Sequence, residues 1–282
     1  MIFLVLRLSL TPLAVLAGTV AQRRFGHAIS GLIVGLPLTS LPILWFIALQ
    51  HGVSFTETMT AALLVGSIAE AAVLWIYARL TSQLSPALAL GGALAAFALA
   101  VVTVNLLGLS PLIAGLFTAV GFAIALRWWP LAPAAPATST GRSRLALRVI
   151  VAALLTFVIM ALAGRLGPVW SGLLDALPAM SMMMAFMTHH DDGAGASSGF
   201  LRGVTRGSFS YLAAMLVLAE TLRTGDLLLA FSGALGAALV VQALIQAFDS
   251  LAATTHRSTE GPASQLSSAP LADLEGDAVY CS

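Results

Sequence analysis

Apolar residues run along this chain in blocks of about twenty, parted by short polar breaks. A helix needs about 20 apolar residues to cross the hydrocarbon layer of a bilayer. The blocks predict nine spanning helices, over roughly 2–21, 28–49, 58–80, 86–108, 110–128, 146–164, 170–187, 203–222 and 226–248. The longest polar break, 127–148, holds Arg127, Arg142, Arg144 and Arg148 around a Pro/Ala/Thr stretch. Residues 251–282 are rich in Ser, Thr and Ala and carry Glu260, Asp273, Glu275 and Asp277. Such a segment buries too little apolar area to fold alone and is expected to be disordered. In the first block, Arg23 and Arg24 follow the apolar run, whereas a signal peptide places its positive charge first. That order favours a spanning helix, with a cleaved signal as the alternative.

The pattern repeats. Residues 24–40 and 165–181 align without a gap at an offset of 141 (165 − 24), and eight of the seventeen positions are identical. The shared residues are Arg24/Arg165, Gly26/Gly167, Ser30/Ser171, Gly31/Gly172, Leu32/Leu173, Leu36/Leu177, Pro37/Pro178 and Ser40/Ser181. The same offset pairs Gly52 with Gly193, Gly66-Ser67 with Gly207-Ser208, and Gly92 with Gly233. An internal repeat governs the whole fold assignment. Spans one to four and six to nine are the two copies, and span five joins them. The odd joiner makes the second copy enter the bilayer from the opposite face, which gives inverted halves. The expected fold class is therefore all-α: a polytopic membrane protein of about nine helices, in two inverted four-helix repeats. Its parts are 1–108, a linker helix and loop at 109–145, a second repeat at 146–250, and a cytoplasmic tail at 251–282.

Composition agrees with a membrane class. The chain is 59% hydrophobic and 9% charged, against about a quarter charged residues in soluble domains. A net charge of +1 points to no nucleic-acid partner. The lone cysteine, Cys281, excludes a disulfide framework or a cysteine-rich metal site. The chain has no lysine, so orientation rests on arginine. With the N-terminus outside, ten of the thirteen arginines fall on the inner side; Arg7, Arg165 and Arg223 do not. The positive-inside rule then puts the C-terminus in the cytoplasm.

Paired Pro/Gly-interrupted segments in the two halves are the best sequence pointer to a transporter site. Pro37 and Pro178 each remove a backbone N–H and clash with the carbonyl four residues back. The carbonyls near Ile33 and Leu174 then need other partners, which buried protein or water can supply. The two breaks approach the midplane from opposite faces, ringed by Ser30, Thr39, Ser40, Ser171 and Ser181. A packing role for the same kinks is the competing reading, with Gly31, Gly35 and Gly172 permitting close helix approach. Ionisable groups inside a span point to function. Glu70 is the best single candidate: a carboxylate buried there favours its neutral form and can carry a proton. Its repeat counterpart is Tyr211 (70 + 141). Asp175 lies a turn before Pro178, opposite Val34 in the repeat. A Glu hydrogen-bonded to a neighbouring helix is the bland alternative.

Other polar groups read as structural. Asn105 and Gln242 fit interhelical hydrogen bonds, and Glu220 with Arg223 fits a surface pair. Thr188-His-His-Asp-Asp192 reads as a polar loop more readily than a divalent-metal patch, since adjacent ligands make poor coordination geometry. His27 and His51 read as interfacial. The chain has no phosphate-binding loop of the Walker type, no His-Glu-x-x-His and no Gly-x-Ser-x-Gly. No enzyme and no cofactor are expected; an intramembrane enzyme acting on lipid would need Glu70 and Asp175 to converge.

The segments Ser171-Gly-Leu-Leu-Asp-Ala-Leu-Pro178, Thr188-His189, Phe200-Leu-Arg-Gly203 and Gly207-Ser-Phe-Ser-Tyr211 resemble the GlpM-type small bacterial inner-membrane proteins. The first half is similar but looser, so the chain looks like a fusion of two such units. The resemblance implies inner-membrane bundles of about four helices each; a link to exopolysaccharide production has been suggested for the family. Ala213 stands where the family pattern has proline, and Glu70 where it has tyrosine. The expected function is a secondary transporter of a small solute, with Glu70 as proton carrier and the proline segments as gates. The alternative is a non-transporting membrane subunit or scaffold, for example in envelope-polysaccharide assembly. The expected partners are the lipid bilayer, a solute and the proton, with a homodimer left open.

Overall fold

The computed structural model describes residues 13, 16–38, 40–130 and 167–259, with side chains as far as Leu251. Among these residues the chain is helical and contains no strand. Residues 16–25 form α1. It is followed by α2 (His27–Val34), α3 (Ser40–His51), α4 (Val53–Leu80), α5 (Pro86–Leu106) and α6 (Pro111–Arg127). Residues 167–175 form α7. Then come α8 (Ala179–Asp192), α9 (Ala194–Thr221), a 3-10 turn at Leu222–Thr224, and α10 (Leu227–Thr259). The described residues up to Gln242 make one compact unit, and those from Ala243 onward belong to a second. The expected span at 146–164 lies outside the described residues, as do residues 2–12, 14 and 15 of the expected span at 2–21.

Local chemistry sets the boundaries. Ser110 caps α6 by accepting from the Ile113 N–H at 3.4 Å, and Pro111 follows at the first helical position, where its missing N–H costs nothing. Ser85-Pro86 opens α5 in the same order. Between α3 and α4 the chain turns on Gly52, at φ 87° and ψ 169°; Gly193 makes the corresponding turn at φ 90° and ψ 175°. Only glycine adopts that region readily. Gly26 and Gly167 take positive φ as well, at 86° and 78°.

Two expected spans are divided more sharply than a kink would divide them. The 28–49 span is two helices, α2 and α3, and the 170–187 span is α7 and α8. The carbonyls freed by Pro37 and Pro178 find partners in the break itself. Leu36 N–H donates to Ile33 O at 3.2 Å, and Leu177 N–H to Leu174 O at 3.1 Å. Leu38 N–H reaches Leu36 O at 2.8 Å, and Ala179 N–H reaches Leu177 O at 2.7 Å. Helix α10 also continues to Thr259, past the expected end of its span at 248.

The core is built on α4 and α9, each 28 residues long and packed against the other. Helix α2 lies on α9, and α7 lies on α4, both through small residues. A β-carbon on Gly31 would run into the Phe200 carbonyl and sit 2.8 Å from the Val204 nitrogen. One on Gly172 would run into the Met59 carbonyl and sit 2.9 Å from the Leu63 nitrogen. One on Gly35 would lie 2.8 Å from the Gly207 α-carbon; one on Gly66 would lie 2.6 Å from the Ala176 β-carbon. Small residues of this kind let membrane helices approach backbone to backbone. Helix α5 packs on α4 through a seam of Ala89, Ala93, Phe97 and Val101.

Four described helical stretches are long and apolar enough to cross a membrane: Val53–Leu80, Pro86–Leu106, Gly167–Asp192 and Leu227–Leu251. Helices α3 and α6 are apolar but shorter. Helix α9 has the length, but Ser197, Ser198, Arg202, Thr205, Arg206, Ser208 and Ser210 make it more polar than the others. Most of those polar groups are buried. Large apolar side chains face outward on α5 (Leu88, Leu99, Leu106) and α6 (Leu112, Leu116, Phe117), as lipid-facing helices require.

Candidate functional site

Glu70 sits in the middle of α4, is 7% exposed, and points at α9. There the Ser208 hydroxyl donates to Glu70 Oε1 at 3.0 Å. One turn further along α9 is Tyr211, also buried. Tyr211 is hydrogen-bonded to the side chain of Ser40, at the start of α3, and lies within electrostatic reach of both Asp175 and Glu70. Asp175 comes from the last turn of α7. Four of the expected residues therefore converge: Glu70, Ser40, Asp175 and Tyr211. Two long helices supply one side of the cluster, and the broken ends of α3 and α7 supply the other. A carboxylate so deep keeps its place because a hydroxyl satisfies one oxygen; an isolated buried charge would not.

Ser208 escaped the sequence reading, although its signal was present. Gly207-Ser208 repeats Gly66-Ser67, and Ser208 is three residues before Tyr211 on the same helix face. Ser67 itself turns back and donates to the Leu63 carbonyl at 2.9 Å.

The other expected residues stand elsewhere or serve the backbone. The Ser30 hydroxyl donates to Gly18 O at 2.7 Å and so ties α1 to α2. The Ser171 hydroxyl donates to Gly167 O at 2.6 Å, within its own helix. Pro37 is buried, Pro178 is half-buried where it caps α8, and Ser181 is buried in the first turn of α8. Thr39 lies outside the described residues.

A groove of about 220 Å³ opens between α4, the turn from α5 to α6, and the start of α7. Thr58, Ala62, Val65, Asn105, Val169 and Leu173 are among its walls, and none of the expected site residues lines it. Asn105 is exposed there, in place of the interhelical hydrogen bond expected of it. Gln242 does make such a bond, accepting from the Ser210 hydroxyl at 2.9 Å. Glu220 meets Arg223 at 3.1 Å on the surface, and Glu57 at 3.5 Å makes the pair a trio.

The expected polar loop at 188–192 is helix. It completes α8, and only His190 of the two histidines faces out. His27 is buried as well: Gln22 Nε2 lies 2.6 Å from its Nδ1 and donates to Thr188 Oγ1 at 3.1 Å. Both departures have one cause: close packing of α1, α4 and α8 covers positions that sequence position alone leaves at an interface. Among the described residues no group of three His, Cys, Asp or Glu side chains is placed to hold a metal ion.

Comparison with protein-family models, with curated proteins and with solved structures finds no match for this chain.

Proposed function

We propose that this protein is a proton-coupled secondary transporter of a small solute, with Glu70 as the proton carrier. The observation that carries the reading is the placement of Glu70: a deeply buried carboxylate, held by one serine and within electrostatic reach of a buried tyrosine. In such a setting the neutral and charged forms call for different surroundings, so proton binding and helix packing become linked. Helix ends on Ser40 and Asp175 let small movements of α3 and α7 reach Tyr211, and through it the surroundings of the carboxylate.

We further propose that the halves form an inverted repeat. Two sets of facts support this. The element bounds coincide after a shift of 141: Gly26 with Gly167, Gly52 with Gly193, Val53–Leu80 with Ala194–Thr221, and Pro86 with Leu227. The packing is also reciprocal. Gly31 meets Phe200 and Val204; Gly172 meets Met59 and Leu63 (31 + 141 = 172, 59 + 141 = 200, 63 + 141 = 204). Contacts that exchange in this way are those of two units about a two-fold axis. On this reading each half is a GlpM-like unit in a bacterial inner membrane, with the Arg79 end of α4 inside.

One observation favours the alternative of a non-transporting subunit or scaffold. The proline breaks satisfy their own carbonyls, and the groove lies away from Glu70. Glu70 and Asp175 both lie within electrostatic reach of Tyr211, but a proton carrier accounts for that cluster without requiring a nucleophile.

The test is infrared difference spectroscopy of the protein in liposomes, between acid and alkaline pH. The wild type should show a protonated-carboxyl band of a buried group, and Glu70→Gln should lose it while accumulating normally. A spectrum that Glu70→Gln leaves unchanged would falsify the proton-carrier role.

A further inference from the structure

Tyr77 and His189 belong to no site described so far. Tyr77 is fully buried near the Arg79 end of α4, and His189 is 9% exposed in the last turns of α8. Their rings meet edge to face, with centroids 6.2 Å apart at 88°. The Tyr77 hydroxyl and His189 Nδ1 are both buried, and neither has a hydrogen-bond partner among the described residues. Two such groups, carried by rings in contact, are costly unless something satisfies them.

The backbone fixes what that something must be. His189 is hydrogen-bonded to the Thr81 backbone. The Thr81 N–H is already given to the Tyr77 carbonyl at 3.0 Å, which leaves the Thr81 carbonyl as acceptor. His189 therefore donates to it through Nε2, and Nδ1 of the neutral ring is an acceptor. The Tyr77 hydroxyl is free to donate. A molecule between them must accept from one and donate to the other, and water does both.

We propose that Tyr77 and His189 bind one water-sized molecule between them, and that it is the last fixed point on a proton route from Glu70 to the Arg79 end of α4. The second half rests on the proton-carrier reading of Glu70. Glu70 and Tyr77 are seven residues apart on one face of α4, about 10 Å at 1.5 Å per residue. Val73 and Leu74, both buried, lie in between, so further waters pass them only when the packing loosens. A water that accepts from Tyr77 and donates to Nδ1 keeps one lone pair and one O–H unused. A proton arriving from the Glu70 side forms a new O–H on that lone pair. The unused O–H then breaks and gives its proton toward the exposed turn at Ser82–Ser85. Tyr77 and His189 keep their own protons throughout.

The experiment uses the full chain. Tyr77→Phe in detergent should lower the melting temperature if the hydroxyl is bridged; a rise or no change means the hydroxyl had nothing to lose, and overturns the site. Should Tyr77→Phe not accumulate, histidine-labelled wild type decides through the ¹⁵N resonance of His189 Nδ1, assigned by its loss in His189→Gln. A hydrogen-bonded position supports the site; a free-acceptor position overturns it. In liposomes after a pH jump, the Glu70 infrared band should respond about fivefold more slowly in Tyr77→Phe and His189→Gln, with unchanged final amplitude. Unchanged rates with a lowered melting temperature overturn the relay and keep the bound water. A missing band in the wild type is the separate failure of the proton-carrier reading.

Discussion

Residues 26–106 and residues 167–242 share a backbone plan and differ in their chemistry. Each begins on a glycine of positive φ, breaks at a proline, turns on a second such glycine and enters a 28-residue helix. Even the hydrogen bonds in the breaks correspond one to one. Several polar groups do not. Glu70 stands against Tyr211, Asp175 against Val34, Tyr77 against Leu218, and His189 against Ala48 at the same offset. The comparison teaches that glycine and proline set the chain path in both stretches, because few other residues satisfy those positions. Buried polar groups answer to their partners, and for Glu70 (Ser208) and Tyr77 (His189) the partner comes from the other stretch.

Three experiments would break or sharpen that comparison. The largest effect is all-or-none. In a Cys281→Ser background, single cysteines at the exposed residues Gln83 and Thr224 (83 + 141 = 224) should label from opposite faces of sealed vesicles. Labelling of both from one face would remove the inversion. Next in size are Gly31→Val and Gly172→Val. Each drives a side chain into a carbonyl, of Phe200 or Met59, where overpacking costs about 1–3 kcal/mol or more. Both variants should fail to give a monodisperse peak in detergent; survival of one alone would show that the two contacts are not equivalent. The smallest is Gly52→Ala against Gly193→Ala, each expected to cost about 1–3 kcal/mol for a strained φ. Their melting temperatures should fall by similar amounts, and a clear difference would count against a shared backbone plan.

Much of this plan was legible before the structure. The spacing of Gly26, Pro37 and Gly52, and its echo at 141, marks the helix ends because those residues act through their own backbone. The separation of α2 from α3 was less legible, since proline alone predicts a kink; the break widens because Leu36 and Leu38 use their N–H groups locally. Glu70, Tyr211, Ser40 and Asp175 could be found by asking which polar groups lie inside apolar blocks. Ser208 carries a weaker signal, its place in the repeated Gly-Ser pair, because serine is commonplace in membrane helices and its role depends on what α9 faces. The sequence places His27 at an interface and His189 in a polar loop for a related reason: burial is decided by neighbouring helices, and no short window of sequence contains them. Residues 194–202 of α9 fall outside the expected span at 203–222 because Ser197, Ser198 and Arg202 break the apolar block, although the fold buries both serines.

Helix α5 grips α4 by a strip dominated by methyl groups, and only 28% of its most apolar stretch is buried. Leucines and valines cover the rest of its circumference. A helix attached so lightly is held in place by its surroundings as much as by its neighbour, since lipid tails compete with alanine on nearly equal terms. The choice of detergent or lipid will therefore decide whether α5 stays docked once the protein leaves its native bilayer.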